Sequence, residues 1–115
     1  MFSINGTTIT LTRGDTLVAQ IEIKRNDETY TPVEGDSLRI AVKHPELNAD
    51  KTDYLDAEPL IDKEIPIETQ VLRLESSDTK NLGFGKYAYD IQITFADGWV
   101  DTFISGILIL TKEVD

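Results

Sequence analysis

A chain of 115 residues with 21 acidic and 11 basic side chains has a formal charge of −10, which repels nucleic-acid phosphates and anionic lipid surfaces. It contains no cysteine, which excludes a disulfide framework and thiolate metal centres and fits folding in a reducing cytoplasm. Met1-Phe2-Ser3-Ile4-Asn5-Gly6 lacks the basic start and apolar run of a secretory signal, and no stretch reaches the roughly 20 apolar residues of a membrane-spanning helix.

A hydrophobic fraction of 40% suffices for one packed core, so a single domain over residues 1–115 is expected. From the N-terminus onward the hydrophobic period is two, the mark of half-buried strands. Asn5-Gly6 has the composition of a two-residue hairpin turn, which would pair residues 2–4 with residues 7–11. Gly14 turns the chain after that hairpin, and Asp15 is placed to accept backbone N–H bonds at the next strand. Arg13-Gly14-Asp15 therefore has a local role rather than that of an integrin ligand. Leu17, Ala19, Ile21 and Ile23 then alternate with Val18, Gln20, Glu22 and Lys24. After a turn at Glu34-Gly35-Asp36, Leu38, Ile40 and Val42 alternate with Arg39, Ala41 and Lys43.

Between residues 44 and 63 the alternation weakens into one long acidic loop. Tyr54 and Leu55 lie inside it, as tacks to the body or as projecting contacts. Strands resume at residues 60–65 and 71–74, with Pro66 marking an edge or a turn. Ser77 or Asp78 is expected to cap a single helical turn, Leu82 to plug it into the core, and Gly85 to permit a tight exit. Tyr87, Tyr89, Ile91, Ile93 and Phe95 then line one face of the longest strand. The Tyr87 hydroxyl is placed to bond back to the turn, as in a tyrosine corner; the competing role is that of first core aromatic. Asp97-Gly98 predicts a second two-residue hairpin, with the return strand starting at Trp99. Gly106 suggests a bulge, after which Ile107, Leu108, Ile109 and Leu110 read as a strand covered on both faces.

Seven to eight short strands at this spacing predict an all-β fold, an antiparallel Greek-key sandwich. Catalytic signals are sparse. His44 is the only histidine and sits beside Pro45, with no cysteine to activate and no glycine-flanked serine elbow. There is no phosphate-cradling glycine loop, so no catalytic residue and no cofactor are assigned. Asp50, Asp53, Asp56 and Glu58 share the acidic loop and are the only metal candidates, for calcium. Their spacing lacks the central glycine and terminal glutamate of an EF-hand, and a solvated acidic loop is the better account. Trp99 is either a core or rim aromatic or an interface anchor.

The order of several motifs points further. Leu11-Thr12-Arg13-Gly14-Asp15-Thr16 opens a strand, followed by Gly85-Lys86-Tyr87-Ala88-Tyr89-Asp90-Ile91, then Asp97-Gly98-Trp99-Val100-Asp101-Thr102, then Ser105-Gly106-Ile107-Leu108-Ile109. From about residue 8 to residue 111 the chain resembles the N-terminal domain of phage upper baseplate proteins and similar short prophage-encoded proteins. The resemblance implies an immunoglobulin-like sandwich that docks to other structural proteins of a virion, usually within an oligomer. The sequence runs only four residues beyond Thr111, so decoration of a tail or baseplate, or a small adaptor role, is expected rather than a bridge to a receptor-binding tip.

Two functions are thus carried forward. The first is a non-enzymatic phage or prophage structural protein, made in the bacterial cytoplasm and carried in the virion. Its partners would be other virion proteins and a second copy of itself, with no nucleic acid and no membrane. The alternative is a carbohydrate- or host-surface-binding module that uses Tyr30, Tyr54 or Trp99 as stacking platforms. The interaction candidates are Tyr54, Leu55 and Trp99.

Overall fold

The structure, a computed structural model, describes residues 2–25, 27–43 and 60–112. Its strands are, in chain order, β1 (Phe2–Asn5), β2 (Thr8–Thr12), β3 (Leu17–Gln20), β4 (Lys24–Arg25), β5 (Glu28–Thr29), β6 (Ser37–Lys43), β7 (Ile61–Ile65), β8 (Val71–Leu74), β9 (Gly85–Thr94) and β10 (Val100–Thr111). One four-residue helix, α1 (Ser76–Thr79), separates β8 from β9. Eight of these strands have four or more residues, and β4–β5 is a two-residue ribbon.

Six strands form one sheet in the order β1-β2-β10-β9-β6-β7, and β3-β8 forms a small sheet. The period-two pattern does what it predicts: Leu38, Ile40 and Val42 from β6, Tyr87, Tyr89, Ile91 and Ile93 from β9, and Leu108 and Leu110 from β10 all turn to one face and are buried. Leu17, Ile21, Ile23, Leu72 and Leu74 join them in a single core cluster. Alongside the central hairpin of β9 and β10, β3 pairs β8 and β6 pairs β9, so two interlocked, non-sequential pairs hold the chain together.

Several expectations need correction. The sheet is not antiparallel throughout, because β10 runs parallel to β2 from Ile107↔Thr8 to Thr111↔Thr12. The first hairpin closes on Gly6-Thr7 rather than Asn5-Gly6, since Asn5 pairs with Thr8. Gly6, at φ 61, supplies the positive φ needed at the first central position. The second hairpin has three loop residues instead of two: Gly98 N–H bonds to Phe95 C=O at 2.8 Å, and Phe95 N–H bonds to Trp99 C=O at 2.8 Å. The loop placed at 44–63 ends sooner, because residues 61–63 already belong to β7 and pair with β6. The irregularity in β10 falls at Phe103, between Thr102 and Ile104, while Gly106 stays in register with Tyr89. Ile107 and Ile109 are half-buried on the outer face rather than covered.

The turn before β9 is capped by Glu75 rather than by Ser77 or Asp78. Asp78 instead reaches back to accept the Glu75 N–H at 2.7 Å, and Lys63 pairs with the same carboxylate at 2.7 Å. The Tyr87 hydroxyl donates to Gly83 C=O at 2.7 Å, which is the hydrogen bond of a tyrosine corner and not merely a core contact. Tyr87→Phe keeps the ring and loses the bond. It should therefore cost about 1 kcal/mol, read as a lower urea midpoint at unchanged slope.

Candidate functional site

Among the described residues, no group of three or more His, Cys, Asp or Glu is arranged to hold a metal ion. The surface features that stand out are an exposed tryptophan, an apolar sheet edge and a small depression around Asp90.

Trp99 is the most exposed of the large hydrophobic residues described, at 67%. Its backbone is fixed: the N–H bonds to Asp97 Oδ1 at 2.9 Å and the C=O accepts from Phe95. The hairpin carrying it is fastened in turn to the 30–36 segment by Asp36, a buried carboxylate. Tyr30 Oη and Val33 N–H donate to Asp36 Oδ2 at 2.6 and 2.9 Å, and Ala96 N–H donates to Oδ1 at 2.8 Å. Burial alone would push the Asp36 carboxyl up. The three hydrogen bonds and the nearby Arg25 charge outweigh it and hold the group below the ordinary carboxylate range. Tyr30 is shifted the other way, upward, first by its hydrogen bond to Asp36 and then by burial. Under this end of the sandwich, Tyr30 meets Phe95 edge-on at 5.3 Å, and the Arg25 guanidinium lies 4.2 Å over the Phe95 ring. The tryptophan is thus held out on a braced turn, a presentation that suits contact with a partner.

The second feature follows from the unequal sheets. Phe2 and Ile4 pair with Leu11 and Ile9, so they share the core-facing side of the large sheet. The opposing β3-β8 sheet has two strands among the described residues, and Phe2 and Ile4 remain 39% and 47% exposed while Leu11 and Ile9 are buried.

The third lies on the outer face, where Ala41, Ala88 and Ser105 leave a depression of about 290 Å³ around Asp90, with Lys43 beside it. Asp90 Oδ1 is shut off from solvent and has no hydrogen-bond partner among the described residues. Burial raises the Asp90 carboxyl above its ordinary range, against the opposing pull of Lys43.

Of the residues singled out from the sequence, Trp99 is placed in the open. Tyr54, Leu55, His44 and the calcium candidates Asp50, Asp53, Asp56 and Glu58 lie outside the described residues. Tyr30 is committed to Asp36 and Phe95, so of the two named stacking candidates that lie among the described residues it is Trp99 that offers an exposed ring. Arg13 does not project as an integrin ligand would: it lies 4.1 Å over the Phe84 ring and donates to Leu82 C=O at 3.2 Å. Gly14 N–H meanwhile bonds to the buried Thr79 hydroxyl at 3.0 Å. Sequence reasoning missed Asp36 and Asp90. Asp36 had a usable signal, an acid placed directly before a strand and after a glycine turn, where backbone N–H groups converge. Asp90 had none, since it occupies an ordinary polar position of an alternating strand.

Comparison of the chain with family models, with curated proteins and with solved structures returns no match.

Proposed function

We propose that the chain is a non-enzymatic structural or adaptor protein of a phage or prophage particle, associated with a tail or baseplate and acting through contacts with other virion proteins. The observation that carries the docking part of this reading is Trp99, an exposed aromatic on a turn braced by the buried Asp36. A large apolar side chain left in water on a fixed backbone loses little conformational freedom on binding and has much area to bury. The viral setting is supported by the motif resemblance running from residue 8 to residue 111.

An immunoglobulin-like assignment of the sandwich is supported by two features. The β10-β9-β6-β7 sheet opposite β3-β8 matches the G-F-C-C′ order facing B-E, and the tyrosine corner sits at the start of β9. The carbohydrate-binding alternative needs at least two aromatic platforms on one face, and Tyr30 is engaged elsewhere.

The test is direct binding of the purified chain to the products of neighbouring reading frames. At least one should bind, and Trp99→Ala should weaken that complex about 30-fold, the size of an interface hot spot. Because the Trp99 side chain is exposed, the same substitution should leave stability within about 0.5 kcal/mol. If Trp99→Ala binds as tightly as the wild type, or no neighbour binds, the reading fails.

A further inference from the structure

The edges of the large sheet are treated differently. At one edge, β7 carries Asp62, Lys63 and Glu64 within five residues. The half of β10 that extends beyond β2 carries Asp101 and the irregularity at Phe103. Charges and bulges are the usual means of keeping a strand edge from pairing with another chain. At the opposite edge, β1 has none of these: Phe2-Ser3-Ile4-Asn5 contains no ionisable group, no proline and no break in its ladder with β2.

The direction of its backbone groups can be worked out. Arg13 N–H bonds to Thr111 C=O at 3.0 Å, so the odd-numbered residues along β2 turn toward β10 and the even-numbered Thr8 and Thr10 turn toward β1. Their partners Asn5 and Ser3 are therefore the residues of β1 bonded to β2. Phe2 and Ile4 accordingly direct their N–H and C=O groups away from β2, to the side where no strand among the described residues pairs with β1. A strand added there must place its own outward-pointing residues opposite these two.

We infer that β1 pairs antiparallel with β1 of a second copy of this chain about a two-fold axis at Ser3, joining two six-stranded sheets into one. This deepens the docking reading above and rests on it. Under that axis Phe2 lies opposite the partner's Ile4, and Ile4 opposite the partner's Phe2. Both are positions whose backbone groups face outward, so the symmetry completes four N–H···O=C bonds with no register conflict. The two-fold also keeps the core-facing sides together, and the partly exposed Phe2 and Ile4 side chains cover each other as apolar cross-strand pairs. Ser3 meets the partner's Ser3 on the outer side. The second copy is favoured over an unrelated strand because apolar-polar-apolar Phe2-Ser3-Ile4 is complementary to itself. It is also favoured because this strand carries none of the chain's −10 charge.

Sedimentation equilibrium of the full chain should show a monomer–dimer equilibrium that tightens between low and high salt, as the remaining like charges are screened. Ile4→Lys, at a half-exposed position, should raise the dimer dissociation constant more than tenfold with an unchanged circular dichroism spectrum. Ser3 of the two copies would form a non-hydrogen-bonded pair with Cα atoms about 4.5 Å apart, within disulfide reach. In this cysteine-free chain, Ser3→Cys should therefore oxidise to a covalent dimer at least tenfold faster than Ser105→Cys, an exposed control on the outer face. A chain that stays monomeric up to about 1 mM, a dimer that Ile4→Lys leaves intact, or equal oxidation of the two cysteine variants overturns the inference. A strict monomer that still binds a neighbouring protein through Trp99 removes the self-pairing alone and leaves the docking function standing.

Discussion

Gly106→Ala is expected to destabilise the fold by about 3 kcal/mol, the cost of overpacking added to a lost buried hydrogen bond. Gly106 stands in β10 opposite Tyr89 and beside Thr7, the residue that leads into β2. A Cβ added there would overlap the Thr7 carbonyl oxygen and stand 3.0 Å from its carbonyl carbon and 2.9 Å from its Cβ. The obstacle is backbone and cannot rotate away. The same carbonyl accepts the Tyr89 hydroxyl at 2.6 Å, so moving it strands a largely buried phenol whose ionisation burial already disfavours. Relief requires lifting the start of β2 away from β10, where the parallel pairing begins at Thr8↔Ile107. For a domain of this size the loss corresponds to roughly 10–20 °C in melting temperature. Tyr89→Phe removes only the hydrogen bond and should cost about 1 kcal/mol, so the difference between the two variants isolates the steric part. Hydrogen exchange should show the β1 and β2 amides losing protection first. A Gly106→Ala chain that melts with the wild type would mean that Thr7 does not lie against β10.

How far these features were legible from the sequence depended on the range of the force involved. Burial by alternation is a local signal, so the core faces around Ile40 and Ile91 and the strands of the small sheet could be predicted from spacing alone. The tyrosine corner was also visible, because Tyr87 and Gly83 are four residues apart and one glycine-bearing turn brings them together. Gly106 was misread for the opposite reason. A glycine inside a strand is consistent with a bulge or with the close approach of another backbone, and the Thr7 carbonyl that decides between them arrives from the other end of the chain. The hairpins were misjudged by one residue because Asn-Gly and Asp-Gly specify a turn without specifying which residues flank it. Asp36 joins segments 60 residues apart through Ala96, and no periodicity reports such a contact. Exposure of Phe2 and Ile4 follows from the strand count of the opposing sheet, a property of the whole topology that no single strand carries.

Asp36→Asn tests that long-range fastening and should cost about 2–3 kcal/mol near neutral pH, since three donors converge on an ionised acceptor. The amide can still accept from Ala96 through its remaining oxygen, but its NH₂ would face the Val33 N–H, so one buried contact turns from attraction to repulsion. The pH dependence gives the result a sign. The folded-state pKa of Asp36 is depressed, so its stabilisation is fully present above the ordinary carboxylate pKa and is lost as pH falls through the lower folded value. The stability gap between wild type and Asp36→Asn should therefore be flat from about pH 5 to pH 8 and should narrow below about pH 4. Taking the difference cancels the other carboxylates, which titrate alike in both chains. On the alkaline side Tyr30 acts in reverse. Its raised folded pKa contributes stability that is present below about pH 10 and lost as pH rises through that folded value. Asp36→Asn removes the bond that is the largest cause of the Tyr30 shift, so the wild type should lose stability faster than the variant as Tyr30 ionises. Urea titrations at pH 3, 7 and about 10.5 would measure both limbs. A gap that widens toward acid would show that Asp36 is not held ionised by Tyr30, Val33 and Ala96, and the braced turn beneath Trp99 would lose its physical basis.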